Sequence, residues 1–114
     1  MLPYKRSQRV ANLIRKEISD IIMNRLKDPR LGFVTVTDVQ VTDDLKLARV
    51  LYSVLREEDM DSTGEALSSS KAYIRSELGK RVKMKFTPEL EFVFDSGPRH
   101  SDHMERLFKE IEQK

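Results

Sequence analysis

The chain has 114 residues, 39% of them hydrophobic and 35% charged, with a net charge of only +2 and no cysteine or tryptophan. That length suits one domain with one core, here 1–114, and the lack of cysteine excludes disulfides, thiolate metal sites and cysteine nucleophiles. No apolar run approaches the roughly 18 residues of a membrane span, and the start MLPYKRSQRV lacks the apolar stretch of a signal peptide, so a cytoplasmic protein is expected.

Ser7 is a good N-cap residue, and from it to Leu26 the residues Val10, Ala11, Ile14, Ile18, Ile21 and Ile22 recur near a 3.6-residue period, which predicts an amphipathic helix. Lys5, Arg9, Asn12 and Lys16 follow at helical steps on its far side, with Arg6 among them. Pro29 and Gly32 in KDPRLG stop the helix. FVTVTDVQVT is rich in Val and Thr and alternates as a strand does. Val34 and Val36 are even and Val39 and Val41 odd, so a bulge near Asp38 is needed if all four face the core. TDDL then turns the chain into KLARVLYSVL, with Ala48, Val50, Tyr52 and Val54 on one face and Leu47, Leu51 and Leu55 on the other.

Asp61 or Ser62 can cap the next helix, and Ser62 with Glu65 matches a capping box. Serine competes for nearby backbone groups, so Ser68, Ser69 and Ser70 predict a break or kink at Ser70-Lys71-Ala72 before Ile74, Leu78 and Val82 resume at steps of four. Here Lys71, Arg75, Lys80, Arg81, Lys83 and Lys85 form the densest basic stretch. PELEFVFD reads as a third strand with Leu90, Phe92 and Phe94 inward. SDHMERLFKEIEQK reads as a short closing helix with Met104, Leu107, Phe108 and Ile111 on one side.

Charge is segregated along this order. Residues 1–30 carry +5, 31–70 carry −5, 71–85 carry +5 and 86–114 carry −3. Basic blocks that meet on one face attract a polyanion, and basic blocks that pair with the acidic ones do not. Tyr4, Tyr52 and Tyr73 have rings that can stack on bases, but Tyr52 belongs to an alternating strand and is expected in the core. His100 with His103, and Asp38 with Asp43 and Asp44, are the only hints of a metal site. Stable sites need three or four placed ligands, while a turn and a bulge account for the aspartates. With no P-loop, dinucleotide fingerprint or nucleophile elbow, the chain reads as a non-catalytic binding protein without cofactor or metal.

The run KDPRLGFVTVTDVQVTDDLKLARVLYSVL, followed by ALSSSKAYIRSELGKRVKMKFTPELEFVFD, closely resembles the bacterial ribosome-binding factor A family, in order over nearly the whole chain. The anchors are Asp28-Pro29-Arg30, Thr35-Val36-Thr37 with Val39, Asp44-Leu45 with Ala48 and Val50, Ile74-Arg75 with Leu78, and Pro88-x-Leu90-x-Phe92-x-x-Asp95. The resemblance implies an α+β, type II KH-like fold: helix, β-hairpin, kinked helix pair, third strand and C-terminal helix, with a three-stranded sheet covered by helices on one face. It implies a monomeric, cytoplasmic assembly factor that binds the small (30S) ribosomal subunit and its 16S RNA and assists RNA maturation, notably in the cold, without cutting it.

Its RNA contacts would be Lys5, Arg6, Arg9, Lys16, Lys71, Arg75, Lys80, Arg81, Lys83 and Lys85, with Arg81 also able to pair with an acid. The family's Ala-x-Gly kink falls on Ser70 and Ala72, where glycine's access to positive φ is lost. Gly97 and Ser101 stand where the family usually has serine and glycine. A generic KH-like RNA chaperone and a small metal-dependent nuclease are the alternatives.

Overall fold

The computed structural model describes residues 5–95. The expected closing helix, His100, His103 and Tyr4 lie outside them. The elements are α1 (Arg6–Asn24), β1 (Val34–Val41), β2 (Leu47–Val54), a short 3-10 turn (Glu57–Asp59), α2 (Met60–Arg81) and β3 (Glu89–Phe94). β2 is central, antiparallel to β1 and parallel to β3. Parallel neighbours cannot be joined by a tight turn, so the chain leaves β2, crosses one face of the sheet as α2 and returns as β3.

Both helices pack on the face formed by Ala48, Val50 and Tyr52 of β2, Val39 and Val41 of β1, and Leu90 of β3. Ile14, Ile18 and Ile21 of α1 and Leu67 and Ile74 of α2 are wholly buried there, and Leu78 is nearly so. Tyr52 is in this core as expected, edge-on to Phe94 with ring centroids 5.8 Å apart. The bulge is also present: Val36 pairs with Tyr52 and Asp38 with Leu51, so Thr37 is the extra residue. Val34 and Val36 thereby reach the same core as Val39 and Val41. On the opposite face Arg49, 5% exposed, pairs with Glu91 at 3.2 Å, and Thr37 donates to Asp95 at 2.9 Å.

Three local expectations change. Ser7 is inside α1 rather than its cap; the helix starts at Arg6 after Lys5, whose backbone N–H is accepted by the Gln8 side chain at 3.1 Å. The Ser7 hydroxyl donates instead to Asp43 at 3.2 Å, tying the first turn of α1 to the β1–β2 turn. Likewise α2 begins after Asp59, and Ser62 donates to the Asp59 carbonyl at 3.2 Å rather than capping.

The third change is the helix pair. The helix pair expected around Ser70 and Ala72 is a single helix, unbroken from Met60 to Arg81. Thr63, Leu67, Ile74 and Leu78 are buried at helical spacing, so one apolar stripe continues past the serines. Ser69 donates to the Glu65 carbonyl one turn back at 2.8 Å, a bond that lets a serine stay within a helix and often bends it. Leu45 is the sole non-glycine with positive φ among the described residues, so Ala72 has ordinary helical geometry. Glycine at the exposed Ala72 is therefore expected to cost about 1 kcal/mol, read as a lowered denaturation midpoint; unchanged stability would restore a kink at this position.

Candidate nucleic-acid interface

One end of the sheet gathers three otherwise separate pieces of chain. The first turn of α1 reaches the β1–β2 turn through Ser7 and Asp43, and the start of β3 joins the same turn, with the Glu89 N–H donating to the Lys46 carbonyl at 2.9 Å. The parallel register Leu47 to Glu89 requires this arrangement. It brings Lys5 and Arg6, from the first basic block, to the same end as the approach to β3, where the second block finishes with Lys83 and Lys85.

The ten predicted contacts divide by role. Arg81 is a clamp between the helices: it donates to Glu17 at 3.2 Å and to Asp20 at 2.5 Å, with its side chain 21% exposed. Arg75 fastens α2 to the entry of β3, donating to the carbonyls of Thr87 at 2.6 Å and Pro88 at 3.0 Å and pairing with Glu89 at 3.5 Å. Lys80 stands 3.7 Å from the half-buried Glu77, and Lys5 stands 4.0 Å from Asp43 on open surface, where such pairs stabilise little. Lys85 lies over the Phe86 ring, 5.7 Å from its centre.

Arg6, Arg9, Lys16, Lys71 and Lys83 are exposed, and no described residue forms an ion pair or side-chain hydrogen bond with them. Arg9 and Lys16, with Lys5, lie on the side of α1 opposite its buried Ala11, Ile14 and Ile18, by the 3.6-residue period. These side chains can take phosphate oxygens without breaking anything that holds the fold.

The Arg81 clamp shows in the acids it meets. Hydrogen bonds from Arg81, then from Asn24, hold the Asp20 carboxyl below its ordinary 3.8. The aspartates that hinted at a metal site have local partners too: Asp38 accepts the Val39 N–H, and Asp44 accepts the Thr42 hydroxyl and the Lys46 N–H, which pulls the Asp44 carboxyl down. Among the described residues no three His, Asp or Glu side chains gather as a metal site, and no helix is long and apolar enough to cross a membrane.

Two features escaped sequence reasoning. Thr63, wholly buried, donates to the Leu31 carbonyl at 2.6 Å and so fixes the start of α2 against the KDPRLG loop. Phe86 is 74% exposed beside a cleft of about 430 Å³ between α2 and the 85–87 segment. At the other end of the sheet a second cleft, about 580 Å³, lies beside the exposed Met23 and Phe33.

Two helices on one face of a three-stranded mixed sheet, with lysines and arginines exposed and no Gly-x-x-Gly clamp in the sequence, define a KH-like α+β protein. The family model described as ribosome-binding factor A matches residues 6–108. The chain is 45% identical over 113 residues to ribosome-binding factor A of Thermodesulfovibrio yellowstonii, covering 99% of this chain and 96% of that one. It is 44% identical to that of Staphylococcus carnosus over 110 residues, 96% of each.

Among solved structures it is similar to the crystal structure of the Thermus thermophilus ribosome-binding factor A, with TM-score 0.69 and 29% identity, covering 76% of this chain and 93% of that one. A solution structure from Thermotoga maritima gives TM-score 0.74 and 31% identity, covering 86% and 94%. A homology model of the Thermus protein, fitted into a cryo-electron-microscopy map of its complex with the 30S subunit, gives TM-score 0.66 and 30% identity, covering 76% and 93%. The chain belongs to the ribosome-binding factor A family.

The clamp has a pH signature. A carboxyl held below its unfolded pKa adds stability above that value and loses it as pH falls through the folded one. Arg81→Ala should raise the Asp20 titration, followed by NMR, toward the ordinary carboxylate value, with Asn24 still holding part of the shift, and lower the melting temperature at pH 7. The difference in melting temperature between wild type and variant should shrink as pH drops below 3.8. An Asp20 titration unmoved by the substitution would contradict the clamp.

Proposed function

We propose that this protein is a non-catalytic assembly factor that binds the small (30S) ribosomal subunit and acts in its maturation, working in the cytoplasm as a single-domain monomer. The observation that carries the reading is the likeness, in fold and at 30% identity, to a protein whose coordinates were fitted into a map of its complex with that subunit. Family membership over nearly the whole chain supports it.

The physical means is attraction to the RNA backbone. Arg6, Arg9, Lys16, Lys71 and Lys83 are the cations available for phosphates, with Lys5, Lys80 and Lys85 beside them in weaker surface contacts. Arg75 and Arg81 support the surface from beneath, holding α2 against β3 and α1. Such contacts give affinity that falls with salt and carry little sequence information, so shape sets where the protein sits.

Co-sedimentation with isolated small subunits, large subunits and joined ribosomes over a salt series tests this. Preference for free small subunits, weakening as salt rises, is expected. Arg9→Gln combined with Lys83→Gln should lower the slope of log K against log salt by about two without changing the melting temperature. Equal binding to all three particles and to free structured RNA would favour a general RNA chaperone.

A further inference from the structure

The cleft beside Phe86 is built rather than incidental. Its floor is the outward side of α2 at Ala72, Ser76 and Gly79, and its wall is the 85–87 segment. The two sides meet closely at Gly79, where a Cβ would stand 2.8 Å from the Thr87 hydroxyl. The wall is fastened by the two Arg75 bonds to the carbonyls of Thr87 and Pro88. On either side of Phe86, Pro88 is fully buried and Met84 packs against the core. The backbone around Phe86 is therefore fixed, yet its ring is 74% exposed.

An exposed aromatic on an anchored segment keeps a flat apolar face in water, and its neighbours indicate what covers it. Lys85 lies over one side of the ring, Lys83 is exposed three residues before Phe86, and Arg75 lines the cleft. Cations flanking a free aromatic face complement a phosphate chain carrying bases, since bases stack on aromatic rings and lysines take the adjoining phosphates. A base inside an RNA helix is already stacked on both sides, so only an unpaired one can occupy the ring.

We propose that Phe86 is the stacking platform for one unpaired nucleobase of RNA, with Lys83 and Lys85 meeting the phosphates of the same strand. This rests on the small-subunit reading above and deepens it: phosphate contacts alone hold any RNA, and a stacking platform adds preference for a place where a single-stranded nucleotide is presented.

The test uses Phe86→Leu, which keeps an apolar side chain and removes the ring, beside Phe86→Trp, which enlarges the ring. Both side chains are exposed, and unchanged melting temperatures verify folding. In co-sedimentation with isolated small subunits, Phe86→Leu should lose about tenfold in affinity with its salt slope unchanged, and Phe86→Trp should bind at least as well as wild type. Leucine binding like wild type, or both variants losing equally, overturns the proposal; the second result would mean a shape-fitted contact such as a ribosomal protein surface. If wild type itself shows no preference for small subunits, the functional reading fails and the stacking question is still decided separately. The chain has no native tryptophan, so Phe86→Trp carries the only indole. At low salt its fluorescence should be quenched by single-stranded polyuridylate and not by duplex RNA; no quenching by the single strand overturns the platform.

Discussion

The parallel pairing of β2 with β3 is the constraint on which the rest of the molecule depends. It forbids a hairpin between them, so α2 must cross the sheet, and it sets Glu89 opposite Leu47, at the end where α1 begins and the β1–β2 turn lies. Two basic segments more than sixty residues apart in sequence thus approach the same end of the fold. Their charge is nearly cancelled in the chain as a whole, at +2, and the topology gives it a location.

The cations of the described residues divide by their partners. Arg75 and Arg81 spend their donors on carbonyls and carboxylates of the protein, and arginine suits this because its fork can meet several acceptors at once. Most of the lysines stay on the surface as hydrated point charges, the form in which a backbone phosphate is met without dismantling structure. A rigid frame held by arginines and a solvated layer of lysines and remaining arginines together give a surface of fixed shape and diffuse charge. That combination is suited to recognising a folded RNA by its contour.

Much of this was readable from the residues. The alternation of Val34 and Val36 against Val39 and Val41 determined the bulge, because a strand with one buried face tolerates no slip without an extra residue. The apolar stripe of α1 and the inward side of β3 followed from period alone. The serines misled because propensity is a weak prior: Thr63, Leu67, Ile74 and Leu78 keep one buried face across them, and tertiary packing outweighs local preference.

Ser7 and Ser62 were read as caps from residue type, whereas cap geometry depends on where the chain enters the helix. Parallel pairing could not be seen in sequence without the family resemblance. Nor could the double partnership of Arg81, which joins residues 61 and 64 positions apart. Phe86 was missed because an apolar residue between Met84 and Pro88, both packed inward, gives no sign that its own ring faces out.

As proposed, RNA meets the exposed basic surface of α1 and the α2–β3 approach, while Arg75, Arg81 and the sheet face that carries Arg49 stay out of contact. Ultraviolet crosslinking of the protein to 16S RNA within purified small-subunit complexes, with peptides identified by mass spectrometry, tests it most directly. Crosslinks are expected at Arg9, Lys16, Lys71 and Lys83 and at the Phe86 segment, and none at Arg49 or Gln40. Crosslinks concentrated on the Arg49, Gln40 and Glu91 face, with α1 and residues 83–86 unmodified, would contradict it.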